Sequence, residues 1–314
     1  MNYFFTLKDF VDKSTNDKIL DSDKVSNEFQ DFLKQNFTDA QFSVLLMSAG
    51  FIPDLYGNDS SEETLYSKLV EVLVCEWAER MGFTGEYVKT KASYEDVSIK
   101  IVGGVIVCDA KSFRLGRSQK APNVKDFLKL EDIRKWLARY ENKLGGLVTY
   151  PDTHEWKDSS DAYQYCSTKD APTVMLPYKY LALLLNFKDN YKTESLKNLW
   201  DYGKIFPEPL KKTMEGGNKK AYWNAIDKEI LRITKITKEE FNDFMTCANS
   251  KIDECIHANL NLLETKKASL VANIKSEVDK LDEAFLRQSL TEFRIKSETK
   301  VIDQLIGHIY DFRL

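Results

Sequence analysis

Side-chain character alternates with a period of two along residues 95–102 and again along 105–111, and Gly103 and Gly104 stand between the runs. Two such runs joined by Gly-Gly predict a β-hairpin. With the two glycines as the whole loop, Val102 pairs with Val105, Ser98 faces Asp109 and Asp96 faces Lys111. Residues two apart on a strand share a face. Asp96, Asp109 and Lys111 are therefore expected together on one side. Val97, Ile99, Ile101, Ile106, Cys108 and Ala110 make an apolar face on the other. A single bulge would move Asp96 off that shared side.

Elsewhere the period is helical. Residues 1–55 read as helices, with Phe29, Phe32, Leu33 and Phe37 as a stripe, closed by Pro53 and Gly57-Asn58-Asp59. Ser60 suits an N-cap with Glu63 reaching back to it. Leu65, Leu69, Val72, Leu73 and Trp77 carry that helix to about Arg80. A loop over 112–123 precedes a helix over roughly 123–142, with Val124, Phe127, Leu128, Trp136, Leu137 and Tyr140 as its stripe. Gly145-Gly146 is expected to end it, before strands at 147–150 and 173–176 and a helix from Pro177 through Leu185. This alternation predicts an α/β (α+β) fold, a mixed sheet flanked by helices. Beyond residue 195 the chain reads as helical. Val271, Ile274, Val278, Leu281 and Phe285 have the spacing of a helix–helix seam, and 214–218 reads as a loop.

Composition narrows the class. The chain has 314 residues, 43% hydrophobic, enough for one large domain or two modest ones, and a net charge of −4 that excludes a uniformly basic nucleic-acid binder. Five cysteines at irregular spacings argue against a disulfide scaffold and for a reducing cytoplasm. Cys247, Cys255 and His257 lack the spacing of a zinc site. No signal peptide is expected from the first residues, and the most apolar stretch, 180–185, is too short to span a bilayer. No P-loop is present, so no nucleotide cofactor is expected. None of the three histidines, His154, His257 and His308, stands beside a nucleophile motif.

Two carboxylates and an amine on one face suggest a divalent-metal site with a built-in cation, because Mg²⁺ takes one or two carboxylates plus waters or phosphate. The plainer reading is a cross-strand ion pair on a solvated face. A basic segment tips the balance. From Lys111 to Lys129, six cations (Lys111, Arg114, Arg117, Lys120, Lys125, Lys129) stand against Asp126 alone, leaving +5 in a chain that is −4 overall. Such a concentration suits a phosphate backbone, with Ser112 and Asn123 among the interleaved polar donors.

The string Asp109-Ala110-Lys111-Ser112-Phe113-Arg114-Leu115 resembles the HindIII restriction endonuclease family, as does the Gly116-Arg117 that follows. Glu63-Thr64-Leu65-Tyr66-Ser67-Lys68, Asp96-Val97, Lys125-Asp126-Phe127, Trp136, residues 181–185 and Asn198-Leu199-Trp200 extend the likeness over about residues 60–200. The resemblance implies the PD-(D/E)xK nuclease fold, here without a proline before Asp96. It implies Asp96 and Asp109 as ligands of one or two Mg²⁺, with the Ala110 carbonyl as a further ligand and Lys111 orienting or activating water. Glu63 would be an upstream helix acid facing the metal, or only a helix cap. Ser112, Arg114, Arg117, Lys120, Asn123 and Lys125 would contact double-stranded DNA. The implied activity is Mg²⁺-dependent cleavage at a short palindrome by a homodimer, leaving 5′-phosphate and 3′-hydroxyl ends. The expected organisation is a helical segment over 1–59, a catalytic core over 60–200 and a helical region over 201–314 for DNA contact or dimerisation. The rival readings are another nuclease of the same fold, acting in repair or on DNA structure, and a non-enzymatic DNA-binding helical protein.

Overall fold

The computed structural model describes residues 3–15, 20–87, 94–117, 127–152, 166, 168–205, 220–279 and 284–314. The predicted loop at 214–218 and residues 118–126 lie outside them. In chain order come α1 (Phe4–Thr15), α2 (Ser22–Asn36), α3 (Asp39–Met47), β1 (Phe51–Ile52), α4 (Ser61–Arg80), β2 (Thr84–Tyr87), β3 (Val97–Ile101), β4 (Gly104–Ala110) and β5 (Phe113–Arg114). They are followed by α5 (Leu130–Leu137), β6 (Lys143–Tyr150), β7 (Thr173–Pro177) and α6 (Tyr178–Asn186). After two 3-10 segments come α7 (Tyr202–Ile205), α8 (Lys220–Thr234), α9 (Lys238–Val278) and α10 (Ala284–Arg313).

Five strands form a mixed sheet in the order β2-β3-β4-β6-β7, with β2, β3 and β4 antiparallel and β4, β6 and β7 parallel. Helix α4 covers the face that carries Ile99: its Cys75 sits where a side chain on Gly85, the partner of Ile99, would project. Helix α5 covers the Val107 face, with Ile133 against Gly146, the partner of Val107. Both faces of the central strands are thus covered, as parallel pairing demands. This is the predicted mixed α/β architecture with a helical C-terminal region.

The hairpin differs from expectation in register. Its two-residue loop is Val102-Gly103, so Ile101 pairs with Gly104 and Lys100 with Val105. Gly104 belongs to β4 for a steric reason: its φ is +154° and a Cβ there would lie 2.7 Å from the Asn142 carbonyl oxygen. The pairing is displaced by two residues, an even number, so every side chain keeps its predicted face. Asp96, however, comes opposite Asp109 rather than Lys111.

Gly145 and Gly146 also lie inside a strand instead of ending a helix. Added Cβ atoms would meet Pro172 O at 2.1 Å and Ile133 at 2.7 Å, so glycine permits the close approach of β7 and α5. Helix α5 correspondingly stops at Leu137. The predicted seam at 271–285 is not one helix: Ile274 and Val278 are buried in α9, which ends there, and Phe285 falls in α10. The two helices run antiparallel, tied by Arg294–Glu277 at 2.9 Å and by Lys267–Asp303.

Helix α9 is anchored on the core by Lys179 Nζ, which donates to Asn249 Oδ1 (2.9 Å), and by Asn259 Nδ2, which donates to Asp54 Oδ2 (2.6 Å). Because Gly145 has no room for a methyl group, Gly145→Ala is expected to lose at least about 2 kcal/mol of stability through overpacking. Urea unfolding measures this; an unchanged midpoint would show that β6 and β7 tolerate wider spacing.

Candidate active site

The end of β4 and the residues after it are fixed by backbone bonds. Lys111 N donates to Thr149 O (2.8 Å), and Lys111 O accepts from the Tyr178 hydroxyl (2.9 Å). Gly50, at φ +85°, passes so close that a Cβ would lie 3.0 Å from Lys111 O and 2.8 Å from the Tyr178 ring. Only glycine allows this approach. Phe113 N then donates to Gly50 O (2.9 Å), which begins the short parallel pair β1–β5.

Asp96 occupies the bend just before β3. Its N–H donates to Cys108 O (3.1 Å), and its Oδ2 accepts from Ala110 N (2.8 Å). One step beyond the Val97–Cys108 pair, it stands opposite Asp109. Lys111 Nζ lies 2.6 Å from Asp109 Oδ2, but the contact is ionic: that buried oxygen accepts no hydrogen bond of acceptable direction. The Lys111 ammonium also sits 5.6 Å from the centre of the Phe127 ring.

These residues line a cleft of about 500 Å³. Ser67 and Glu71 of α4 form one wall, while Lys129 and Asp132, Lys135 and Trp136 of α5 form another. Burial pushes the Asp96 carboxyl far above the ordinary carboxylate range, and the Glu71 and Asp109 carboxylates push it further; the hydrogen bond from Ala110 N and the charge of Lys111 oppose this. Glu71 is itself buried and is held 2.8 Å from Lys68 Nζ.

Among the described residues, no group of three or more His, Cys, Asp and Glu side chains is placed to hold a metal ion. The donor set is open and consists of hard oxygens: the carboxylates of Asp96 and Asp109, beside Ala110 in the cleft lining. That set fits Mg²⁺, which keeps several waters and needs only one or two carboxylates. The Ser112 hydroxyl also lines the cleft and has no hydrogen-bond partner.

Two expected site residues are occupied elsewhere. Glu63 Oε2 accepts from Asp59 N (2.7 Å) and pairs with Arg114 Nη2 (3.0 Å), and Glu63 is absent from the cleft lining. The α4 acid that reaches the cleft is Glu71, about two turns further along the helix. Arg114, expected on DNA, instead donates from Nη1 to Tyr56 O (2.7 Å) and from Nη2 to Gly57 O (3.0 Å), and pairs with Glu63. It braces the segment after Lys111. Arg117 stacks on Phe113, with its guanidinium 3.8 Å from the ring centre. Lys120, Asn123 and Lys125 lie outside the described residues. Sequence reasoning missed Glu71, Asp132, Lys135 and Tyr94 of the cleft. Glu71 alone carried a signal, as an acid embedded in the apolar run 69–74 of a helix.

Residues 8–295 match the family model described as "HindIII restriction endonuclease". The type II restriction enzyme HindIII of Haemophilus influenzae strain Rd is 24% identical over 276 residues, covering 84% of this chain and 83% of that protein.

A carboxyl whose pKa is raised in the fold costs stability once pH exceeds its unfolded value, and the cost fades as pH falls back through the folded value. In the absence of divalent ions and at alkaline pH, Asp96→Asn should therefore unfold at higher urea, by about 1 kcal/mol. The gap should narrow as pH is lowered towards 3.8. A less stable variant at alkaline pH would mean that the carboxylate is not under repulsion.

Proposed function

The chain belongs to the HindIII restriction endonuclease family, and from that premise we propose a type II restriction endonuclease that hydrolyses phosphodiesters of double-stranded DNA at a short palindrome with Mg²⁺. The observation that carries this reading is the convergence of Asp96 and Asp109 in one cleft, with Lys111 Nζ 2.6 Å from Asp109 Oδ2.

Asp96, Asp109 and the Ala110 carbonyl would hold one or two Mg²⁺, which supply neutralisation of phosphate charge and acidify bound water. The chain's own residues do the rest. The Lys111 ammonium, fixed by its backbone bonds and by Asp109, orients the attacking water and donates to the non-bridging phosphate oxygens. The water oxygen bonds to phosphorus in line as the bond to O3′ breaks, leaving a 5′-phosphate and a 3′-hydroxyl. Ser112, two residues past the sheet, offers its free hydroxyl to the same phosphate or its neighbour. Arg117, Lys120, Asn123 and Lys125 supply contacts to the DNA backbone and base edges. On α4 it is Glu71, rather than Glu63, that lines the cleft, alongside Asp96, Asp109 and Asp132.

A palindrome read on both strands calls for a two-fold homodimer, one cleft per strand. No helix among the described residues is long and apolar enough to cross a membrane. The five unpaired cysteines are in keeping with a reducing compartment, and the cytoplasm is the setting proposed.

Asp109→Ala and Lys111→Ala should each slow plasmid cutting by roughly 10²–10⁴-fold or more while gel-shift affinity for the target duplex is retained. The unmodified protein with Mg²⁺ should give discrete fragments with 5′-phosphate ends. Full cutting by both variants would remove these residues from the site.

A further inference from the structure

Glu95 is a buried carboxylate next to the cleft that the reaction does not use. It is 2% exposed and does not line the cleft. Its Oε1 accepts from Ser98 Oγ (2.9 Å) and from the Tyr140 hydroxyl, and its Oε2 lies 3.4 Å from Arg139 Nη1. The Ser98 and Tyr140 oxygens are themselves 2.9 Å apart. Arg139 stacks on Tyr94, with its guanidinium 3.8 Å from the ring centre. A buried carboxylate is costly unless it is paired and hydrogen-bonded, and this one is both. It ties the residue before the bend at Asp96 to β3 and to the turn that follows α5.

Asp96 needs such a restraint. Its carboxyl shares the cleft with the carboxylates of Asp109 and Glu71 and accepts one backbone hydrogen bond, from Ala110 N, while its own N–H donates to Cys108 O. Repulsion alone would turn it away towards water. Glu95 shares a peptide bond with Asp96, so fixing one end of that peptide fixes where the next side chain starts. The same turn continues from α5, whose Asp132, Lys135 and Trp136 form the opposite wall of the cleft. We propose that Glu95, with Ser98, Tyr140 and Arg139, is a positioning cluster that aims Asp96 into the cleft and sets the distance to the α5 wall. This rests on the reading of the cleft as a divalent-ion site.

The test is Mn²⁺ binding to the intact protein on a short duplex, read as loss of the free-ion EPR signal, for the parent, Tyr140→Phe, Ser98→Ala, Glu95→Gln and the double variant Tyr140→Phe/Glu95→Gln. Groups that orient metal ligands typically cost 10–100-fold in affinity or activity when removed. The half-saturating Mn²⁺ concentration should rise about 10-fold in Tyr140→Phe and in Glu95→Gln, and less in Ser98→Ala. The double variant should bind no worse than Glu95→Gln alone, and added Mg²⁺ should restore cutting by Tyr140→Phe. A purely structural role predicts a lower melting temperature with unchanged Mn²⁺ affinity, and that result overturns the proposal. Should Glu95→Gln fail to fold, Tyr140→Phe and Ser98→Ala decide the matter. A parent protein that takes up no Mn²⁺ and cuts no DNA would instead overturn the reading of the cleft itself.

Discussion

Two carboxylates, the half-buried Asp96 in the bend before β3 and the buried Asp109 of β4, line one cleft, and the surrounding structure is arranged to hold them there. Like charges in a low-dielectric setting repel strongly, so one of the pair is pushed towards its neutral form. The opposing contributions are few: a backbone N–H from Ala110, the charge of Lys111, and the rigidity of the strands. Stability is given up locally and recovered in the apolar core on both faces of the sheet. That exchange is common at functional sites. It also explains why the cleft is polar although it lies at the end of strands covered on both faces. A divalent ion held between the carboxylates would convert their repulsion into attraction.

Distant parts of the chain hold the segment that carries Lys111. From the N-terminal side, Gly50 and the β1–β5 pair grip it, and Arg114 crosses to Glu63 and to the carbonyls of Tyr56 and Gly57. From the C-terminal side, Leu305 of α10 fills the space beside Gly116, and His308 Nδ1 lies 2.8 Å from Gly116 O. Asp54 links the two sides, accepting from Gly116 N and from Asn259 of α9. Burial raises the pKa of that carboxyl. The long helices are therefore part of the scaffold of the site, in keeping with a family match that runs from residue 8 to 295.

The hairpin was legible because alternation fixes faces, and faces survive a displacement of two residues. The loop was misplaced because Gly104 answers to the Asn142 carbonyl, a contact 38 residues away that no local pattern shows. Gly145 and Gly146 misled for the same reason: they are small to admit Pro172 and Ile133, not to break a helix. Ser60 was readable as a cap, since it accepts from Glu63 N at 3.2 Å. Glu63 was misread: its side chain accepts from Asp59 N rather than reaching back to Ser60 N, and its ion-pair partner Arg114 is far along the chain. Glu71 and the α5 wall enter the cleft only through tertiary packing.

The reading of the cleft stands or falls on a divalent ion between Asp96 and Asp109. The most direct measurement is anomalous X-ray scattering from crystals of the protein with duplex DNA and Mn²⁺. A peak is expected between these two carboxylates, at roughly 2.0–2.3 Å from an oxygen of each, with Lys111 Nζ within hydrogen-bond reach of a phosphate oxygen or a bound water. A peak elsewhere, with Asp96 turned out of the cleft, would contradict it.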